Sequence, residues 1–254
     1  NYIDTYFRKG IYPAPGPLPI TPGLEASGEI IALGEGVSNF LVGDRVCYAA
    51  PPLGAYCEIR DFPENALIKI PKKITNDEAA SVLLQGMTVE YLFQRLYEIK
   101  KDQLILFHAA AGGVGLIACQ WAKAIGCKLI GTVGSYEKSE IAKLNGCEHV
   151  INYKKEDVVK RVMEITNGRG VPVVYDGVGK DTFNTSLECL SVRGMFVSFG
   201  QSSGMVPSVN LHKTFNPKSL YYTRPTLMHY NNTRDSLEQS SRKLFNMIEE
   251  KKIK

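Results

Sequence analysis

The sequence predicts an α/β fold, a doubly wound parallel sheet with helices on both faces, joined to a smaller β-rich domain. Three observations carry that reading. From Gln103 onward, short apolar runs alternate with segments of helical length, the pattern of parallel strands linked by crossover helices. Before Thr75 the chain is instead rich in Gly and Pro, with brief strand-like runs between them. A glycine cluster, Gly112-Gly113-Val114-Gly115, lies between an apolar strand and an apolar helix, where such a sheet leaves its first strand.

Taken in order, the stretch Tyr12-Pro13-Ala14-Pro15-Gly16-Pro17-Leu18-Pro19 cannot be helical, because proline lacks the N–H and clashes with the preceding turn. Strands are predicted over 27–33, 45–49, 55–60 and 66–70. Thr75-Asn76-Asp77-Glu78 fits a capping box, with Thr75 as N-cap and Glu78 reaching back, and a helix follows to about Glu98. Beyond it the alternation gives strands over 103–108, 128–132, 149–151, 172–176, 194–199 and 219–223. Helices are predicted over 113–125, 136–145, 155–166 and 181–190. The last segment, 234–250, places Leu237, Leu244, Phe245 and Ile248 on one helical face.

The chain has 254 residues, 44% hydrophobic and 22% charged, which is ample for a core and excludes wholesale disorder. Lys and Arg number 30 against 26 Asp and Glu, a net charge of +4. That excess is spread along the chain and predicts neither a nucleic-acid nor a membrane partner. No apolar run approaches the ~18–20 residues that span a bilayer, and no secretory leader is evident. The six cysteines, Cys47, Cys57, Cys119, Cys127, Cys147 and Cys189, form no C-x-x-C pair and fit no zinc template. Free thiols in a cytoplasmic protein are the simplest expectation. Both ends read as interior sequence, so further chain is expected on either side.

The segment His108-Ala109-Ala110-Ala111-Gly112-Gly113-Val114-Gly115 follows the strand Leu104-Ile105-Leu106-Phe107 and opens a helical run. It approximates G-x-G-x-x-G with Ala110 at the first position and Gly112 and Gly115 in register. Glycines there let a pyrophosphate approach the backbone, and the helix N-terminus offers unpaired N–H groups and partial positive charge. The next strand ends in Val133-Gly134-Ser135 with no carboxylate for a ribose 2′-hydroxyl, and Lys138 follows within one turn. That combination favours a 2′-phosphate, hence NADPH over NADH.

Other segments extend the match. Asn1-Tyr2-Ile3-Asp4-Thr5-Tyr6, Gly43-Asp44-Arg45-Val46, Gly54-Ala55-Tyr56, Gly86-Met87-Thr88-Val89, Asp176-Gly177-Val178-Gly179 and Ser198-Phe199-Gly200-Gln201-Ser202, with the glycine segment, span essentially the whole chain. In these the chain resembles the zinc-free NADPH:quinone oxidoreductases of the medium-chain dehydrogenase/reductase superfamily, the group that includes zeta-crystallin. The resemblance implies a Rossmann domain over 87–224. It also implies a GroES-like catalytic domain built from 1–86 and 225–254, truncated at both ends, a cleft between the two, and a homodimer. It implies NADPH contacts from Thr88, Gly112, Gly113, Val114, Gly134, Lys138, Tyr153, Val178, Phe199, Gly200, Gln201, Ser202 and Arg224. Asn1, Tyr6 and Tyr12 would line a quinone pocket, with no defined acid or base.

Zinc alcohol dehydrogenases of that superfamily carry Gly-His-Glu where this chain has Gly23-Leu24-Glu25, and leucine cannot bind zinc. Alcohol oxidation, which needs a Lewis acid at the alkoxide, is therefore disfavoured. A quinone is already electrophilic and accepts reducing equivalents without one. Two alternatives remain: reduction of an enone or alkenal double bond, and NADPH binding without turnover in a structural or RNA-binding protein. Gly200-Gln201-Ser202-Ser203-Gly204 matches the hydrolase elbow G-x-S-x-G, but no helical pattern follows it. His108, at a strand end, reads as a packed or hydrogen-bonded histidine rather than a catalyst.

Overall fold

The structure is a computed structural model that describes residues 1–254. The chain divides into two compact units. One comprises Asn1–Glu90, Leu227–Lys252 and Lys254; the other comprises Tyr91–Thr226 and Ile253.

The first unit opens with a short helix, α1 (Tyr2–Arg8), that the sequence pattern did not announce. Strands β1 (Glu25–Glu29), β2 (Arg45–Ala49) and β3 (Ile68–Lys69) form an antiparallel sheet in that order. Phe40, Val46, Tyr48 and Leu67 make its core. Residues 55–60, expected as a strand, form none. Gly54, at φ +125°, turns the chain back, and Ala55 and Tyr56 donate their N–H groups to Gly23 and Pro22. Cys57 N–H then closes on Ala55 O at 2.9 Å. The Arg60 guanidinium holds the bend through Pro52 O and Leu53 O.

Helix α2 (Asn76–Glu90) begins at the expected box: Thr75 N–H donates to Glu78 Oε2 at 2.7 Å and Glu78 N–H to Thr75 Oγ1 at 3.1 Å. It ends earlier than expected, because the chain widens into a π-helical turn over Tyr91–Leu96. Apolar spacing alone does not separate that turn from a continuing α-helix.

The second unit alternates as predicted: β4 (Leu104–Phe107), α3 (Gly113–Ile125), β5 (Lys128–Val133), α4 (Tyr136–Leu144), β6 (His149–Asn152), α5 (Val158–Ile165), β7 (Val171–Asp176), α6 (Phe183–Cys189), β8 (Leu190–Ser198) and, after a short helix α7 (Leu211–Phe215) that the sequence pattern did not predict, β9 (Tyr221–Thr223). The six strands are all parallel, in the order β6-β5-β4-β7-β8-β9. The order reverses between β4 and β7, so a crevice opens at their carboxyl ends, where such sheets bind ligands. Helix α5 starts later than its apolar pattern suggested because Asp157 caps it, accepting Lys160 N–H at 3.0 Å. Strand β8 starts earlier, at Leu190, and a register shift against Val171 and Val173 absorbs the difference. Leu106, Ile130, Val174, Phe183 and Phe196 lie in the core under the sheet.

The chain returns to the first unit with α8 (Leu227–Tyr230) and α9 (Arg234–Glu249). Leu244 of α9 packs on Gly86 of α2 so closely that a Cβ there would lie 2.4 Å from Leu244 Cδ1. Buried Glu90 ties the same pair, accepting from Ser240 Oγ and Lys243 Nζ at 2.9 Å each. No helix is long and apolar enough to cross a membrane. All six cysteines are free thiols.

Candidate functional site

The site in the second unit grows from the turn after β4. Ala109 sits in the left-handed region at φ +56°, unusual for a residue with a side chain. Its carbonyl accepts Gly112 N–H at 2.9 Å, which closes the turn. Gly112 then starts α3 with no side-chain cap, so the first-turn N–H groups of Gly113 and Val114 have no capping side chain above them. Helix and turn are pressed together at Gly115, where a Cβ would lie 2.4 Å from Ala109 O and 2.7 Å from Ala110 Cα. The arrangement is a cradle of backbone donors at a helix N-terminus, the chemistry that suits a diphosphate.

The turn borders a cavity of about 690 Å³. Of the expected residues, Gly112, Gly134, Lys138, Tyr153 and Val178 line it together. Gly134 makes room for Tyr153: a Cβ on it would lie 2.5 Å from the phenol oxygen. Ser135 caps α4 by accepting Lys138 N–H, which leaves the Lys138 side chain exposed at the rim. Sequence reading missed the wall formed by Glu156, Asp157, Thr182, Thr185 and Glu188. The capping signal at Asp157 could have found part of it. Glu156 and Asp157 each accept a backbone N–H, from Asn152 and Lys160.

The Phe199-Gly200-Gln201-Ser202 turn does not line that cavity. It folds onto the end of β7: Phe199 N–H and Gly200 N–H donate to Asp176 O, and Ser202 N–H to Gly177 O. The Phe199 ring lies 5.5 Å from that of Phe107. No helix follows directly, and Ser202 has no elbow geometry. Arg224 donates to Ser198 O at 2.8 Å.

In the first unit, Thr88 is buried on α2 and its hydroxyl donates to Leu84 O at 2.7 Å. Tyr6 is only 6% exposed, its ring edge-on to Tyr2 at 5.5 Å and to Tyr12 at 5.2 Å. Tyr12 also meets Phe7. The Asn1 amide is held at both atoms: its Nδ2 donates to Glu25, and its Oδ1 accepts from Gln85 at 3.1 Å. Glu25 takes Leu84 N–H at 2.7 Å on its other oxygen, and burial raises its pKa above the usual carboxylate value. Leu24 is buried beside it, and no three His, Cys, Asp or Glu side chains are grouped to hold a metal ion.

The chain matches two family descriptions, an alcohol dehydrogenase GroES-like domain over residues 1–72 and a zinc-binding dehydrogenase over residues 113–249. It is 52% identical over 249 residues to a quinone oxidoreductase of Pseudomonas aeruginosa, covering 98% of this chain and 76% of that one. It is 43% identical over 254 residues to a 2-haloacrylate reductase of Burkholderia sp, with the same coverage. Its structure superimposes with a TM-score of 0.98 on that of Escherichia coli quinone oxidoreductase complexed with NADPH, at 51% identity, over 100% of this chain and 78% of that one.

Proposed function

The chain belongs to the quinone oxidoreductases of the medium-chain dehydrogenase/reductase superfamily, and from that membership we propose that it is an NADPH-dependent quinone reductase. One observation carries the cofactor part: the uncapped glycine turn opens onto a cavity whose far rim holds Lys138 and Tyr153 and ends β5 without a carboxylate. These residues fit NADPH. First-turn N–H groups from Gly113 and Val114 would hold the pyrophosphate, and Lys138 and Tyr153 the 2′-phosphate. NADPH supplies the reducing equivalents when bound. The Phe199–Ser202 turn, with Val178, would bound the nicotinamide half and exclude water there.

For the acceptor, the second Nδ2–H of Asn1 is the donor we assign to a quinone oxygen as negative charge develops on it. Glu25 and Gln85 fix that amide's orientation in advance. Tyr6 supports the Tyr12 ring, which offers a flat apolar face. Leu24 supplies no ligand where zinc-dependent members carry histidine, and a quinone needs none. A second copy would add its own β9 to the exposed β9 edge, where Tyr221 and Tyr222 are 53% and 45% exposed, giving a homodimer. Six free thiols suit the cytoplasm.

The similarity to a 2-haloacrylate reductase supports a second reading, reduction of a conjugated carbon–carbon double bond. Mixing the protein with NADPH and separate quinones, enones and alcohols, and following loss of reduced-cofactor absorbance, decides between them. Turnover with quinones alone is the expected result; turnover with enones alone moves the assignment to the second reading. NADPH binding without any oxidation would point to a non-catalytic role. Replacing Lys138 with Glu is expected to raise the NADPH Kd about 30-fold and leave NADH within about threefold, since only the former places a phosphate dianion near that charge. Equal weakening of both would remove the 2′-phosphate role.

A further inference from the structure

At the carboxyl ends of β4, β5 and β7 lies a set of buried polar side chains that the proposed reaction does not use: Thr132, His108, Ser186 and Asp176, each no more than 2% exposed. Their hydrogens can be assigned by counting. Ser186 Oγ stands 2.8 Å from Asp176 Oδ2, and a carboxylate only accepts, so the single Ser186 proton points there. Toward His108 Nε2, at 3.1 Å, Ser186 can then only accept, and Nε2 must carry the ring proton. In a neutral ring Nδ1 is an acceptor, and Thr132 Oγ1, 2.9 Å away, donates to it. Thr132 Oγ1 keeps a lone pair facing Ala109 N–H at 3.4 Å.

Four hydrogen bonds therefore point one way, from Ala109 N–H in the glycine turn to Asp176. Asp176 continues the chain, accepting Val178 N–H at 2.7 Å and Gly179 N–H at 3.0 Å. The two loops so joined, at 109–112 and 177–179, flank the cavity. Protonating His108 would make Nδ1 a donor and leave the Thr132 hydroxyl hydrogen without an acceptor in a buried place. Burial also pushes the His108 pKa down, partly opposed by the charge of Asp176. The clamp matters because Ala109 holds a left-handed conformation that costs about 1–2 kcal/mol for a residue with a Cβ.

We infer that His108, as its Nε2–H tautomer, is a positioning residue for dinucleotide binding: through Thr132 on one side and Ser186 and Asp176 on the other it fixes both loops before the cofactor arrives. The inference rests on the NADPH reading above and deepens it. Preorganising the turn removes an ordering cost that binding would otherwise carry.

Three measurements on the purified protein test it. Nitrogen-15 shifts of His108 without cofactor should report the Nε2–H tautomer at neutral pH; an Nδ1–H ring overturns the assignment. Thr132→Val keeps the shape and removes the hydroxyl link, and His108→Gln keeps a donor for Ser186 but removes the ring nitrogen that accepts from Thr132. Both should raise the NADPH Kd, measured by titration calorimetry, about tenfold. Thr132→Ser, which loses a methyl and so some stability, should stay within about threefold of wild type. A Kd that follows melting temperature across the three variants instead of the hydroxyl overturns the positioning role. Wild-type protein that binds no NADPH overturns the cofactor reading itself, and this inference with it, whatever the tautomer.

Discussion

Replacing Gly115 with Ala is expected to weaken NADPH binding at least about 100-fold. The added methyl would stand 2.4 Å from Ala109 O and 2.7 Å from Ala110 C and Cα. All three are backbone atoms, and none can swing aside as a side-chain tip does. Either α3 lifts away from the end of β4 or the 109–112 turn opens, and both take the first-turn N–H groups out of line with a pyrophosphate. Overpacking of this kind costs about 1–3 kcal/mol, which lowers the melting temperature of a chain this size by about 2–12 °C. Gly28 in β1 is the control: nothing lies within 4 Å of a Cβ there, and Gly28→Ala should leave both Kd and melting temperature unchanged. Gly112 is intermediate, with its nearest contact at 3.2 Å. A Gly115→Ala protein that binds NADPH like wild type would show that the turn is not the phosphate cradle.

The features legible in the sequence are those written in neighbouring residues. Helix α3 runs over the residues expected because Gly112 and Gly126 bracket an unbroken apolar face, and Gly126 supplies the left-handed cap at φ +84°. Helix α2 starts where its capping box lies. The absence of a carboxylate after β5 is likewise a local fact, and Gly134, Lys138 and Tyr153 do share a cavity. What stayed hidden depends on pairings across the chain. Residues 55–60 have strand composition, but Gly23 and Pro22, more than 30 positions earlier, take their amide hydrogens. His108 reads as one histidine at a strand end; its partners lie 24 and 78 residues away. Asp176 stood out only as part of Asp176-Gly177-Val178-Gly179, with nothing nearby to show that four donors converge on it.

That convergence makes Asp176→Ala the most damaging single change expected at this site. The carboxylate is fully buried and accepts from Val178 N–H, Gly179 N–H, Thr182 Oγ1 and Ser186 Oγ, at 2.7, 3.0, 2.7 and 2.8 Å. Alanine leaves all four without it, and each unmade bond in a buried place costs about 1–3 kcal/mol. Thr182 can fall back on Gly179 O, 3.3 Å away, so the net loss falls nearer 3–5 kcal/mol, as for other broken buried charge networks. A melting temperature lower by about 6–20 °C is the expected result, and a drop under about 2 °C would remove Asp176 as the anchor. Asp176→Asn separates charge from geometry. Its oxygen must stay with the Val178 and Gly179 N–H groups, so its NH₂ faces Thr182 and Ser186. Ser186 then accepts from the amide and donates to His108 Nε2, and the imidazole proton moves to Nδ1. The chain runs backward until it reaches Thr132, where Nδ1–H and Ala109 N–H both need the same oxygen and the Thr132 proton has no acceptor. The asparagine variant should therefore melt between wild type and Asp176→Ala, show the Nδ1–H tautomer in nitrogen-15 spectra, and bind NADPH more weakly than its stability alone would give. One carboxylate in this arrangement sets both the strength of the site and the direction in which its hydrogen bonds point.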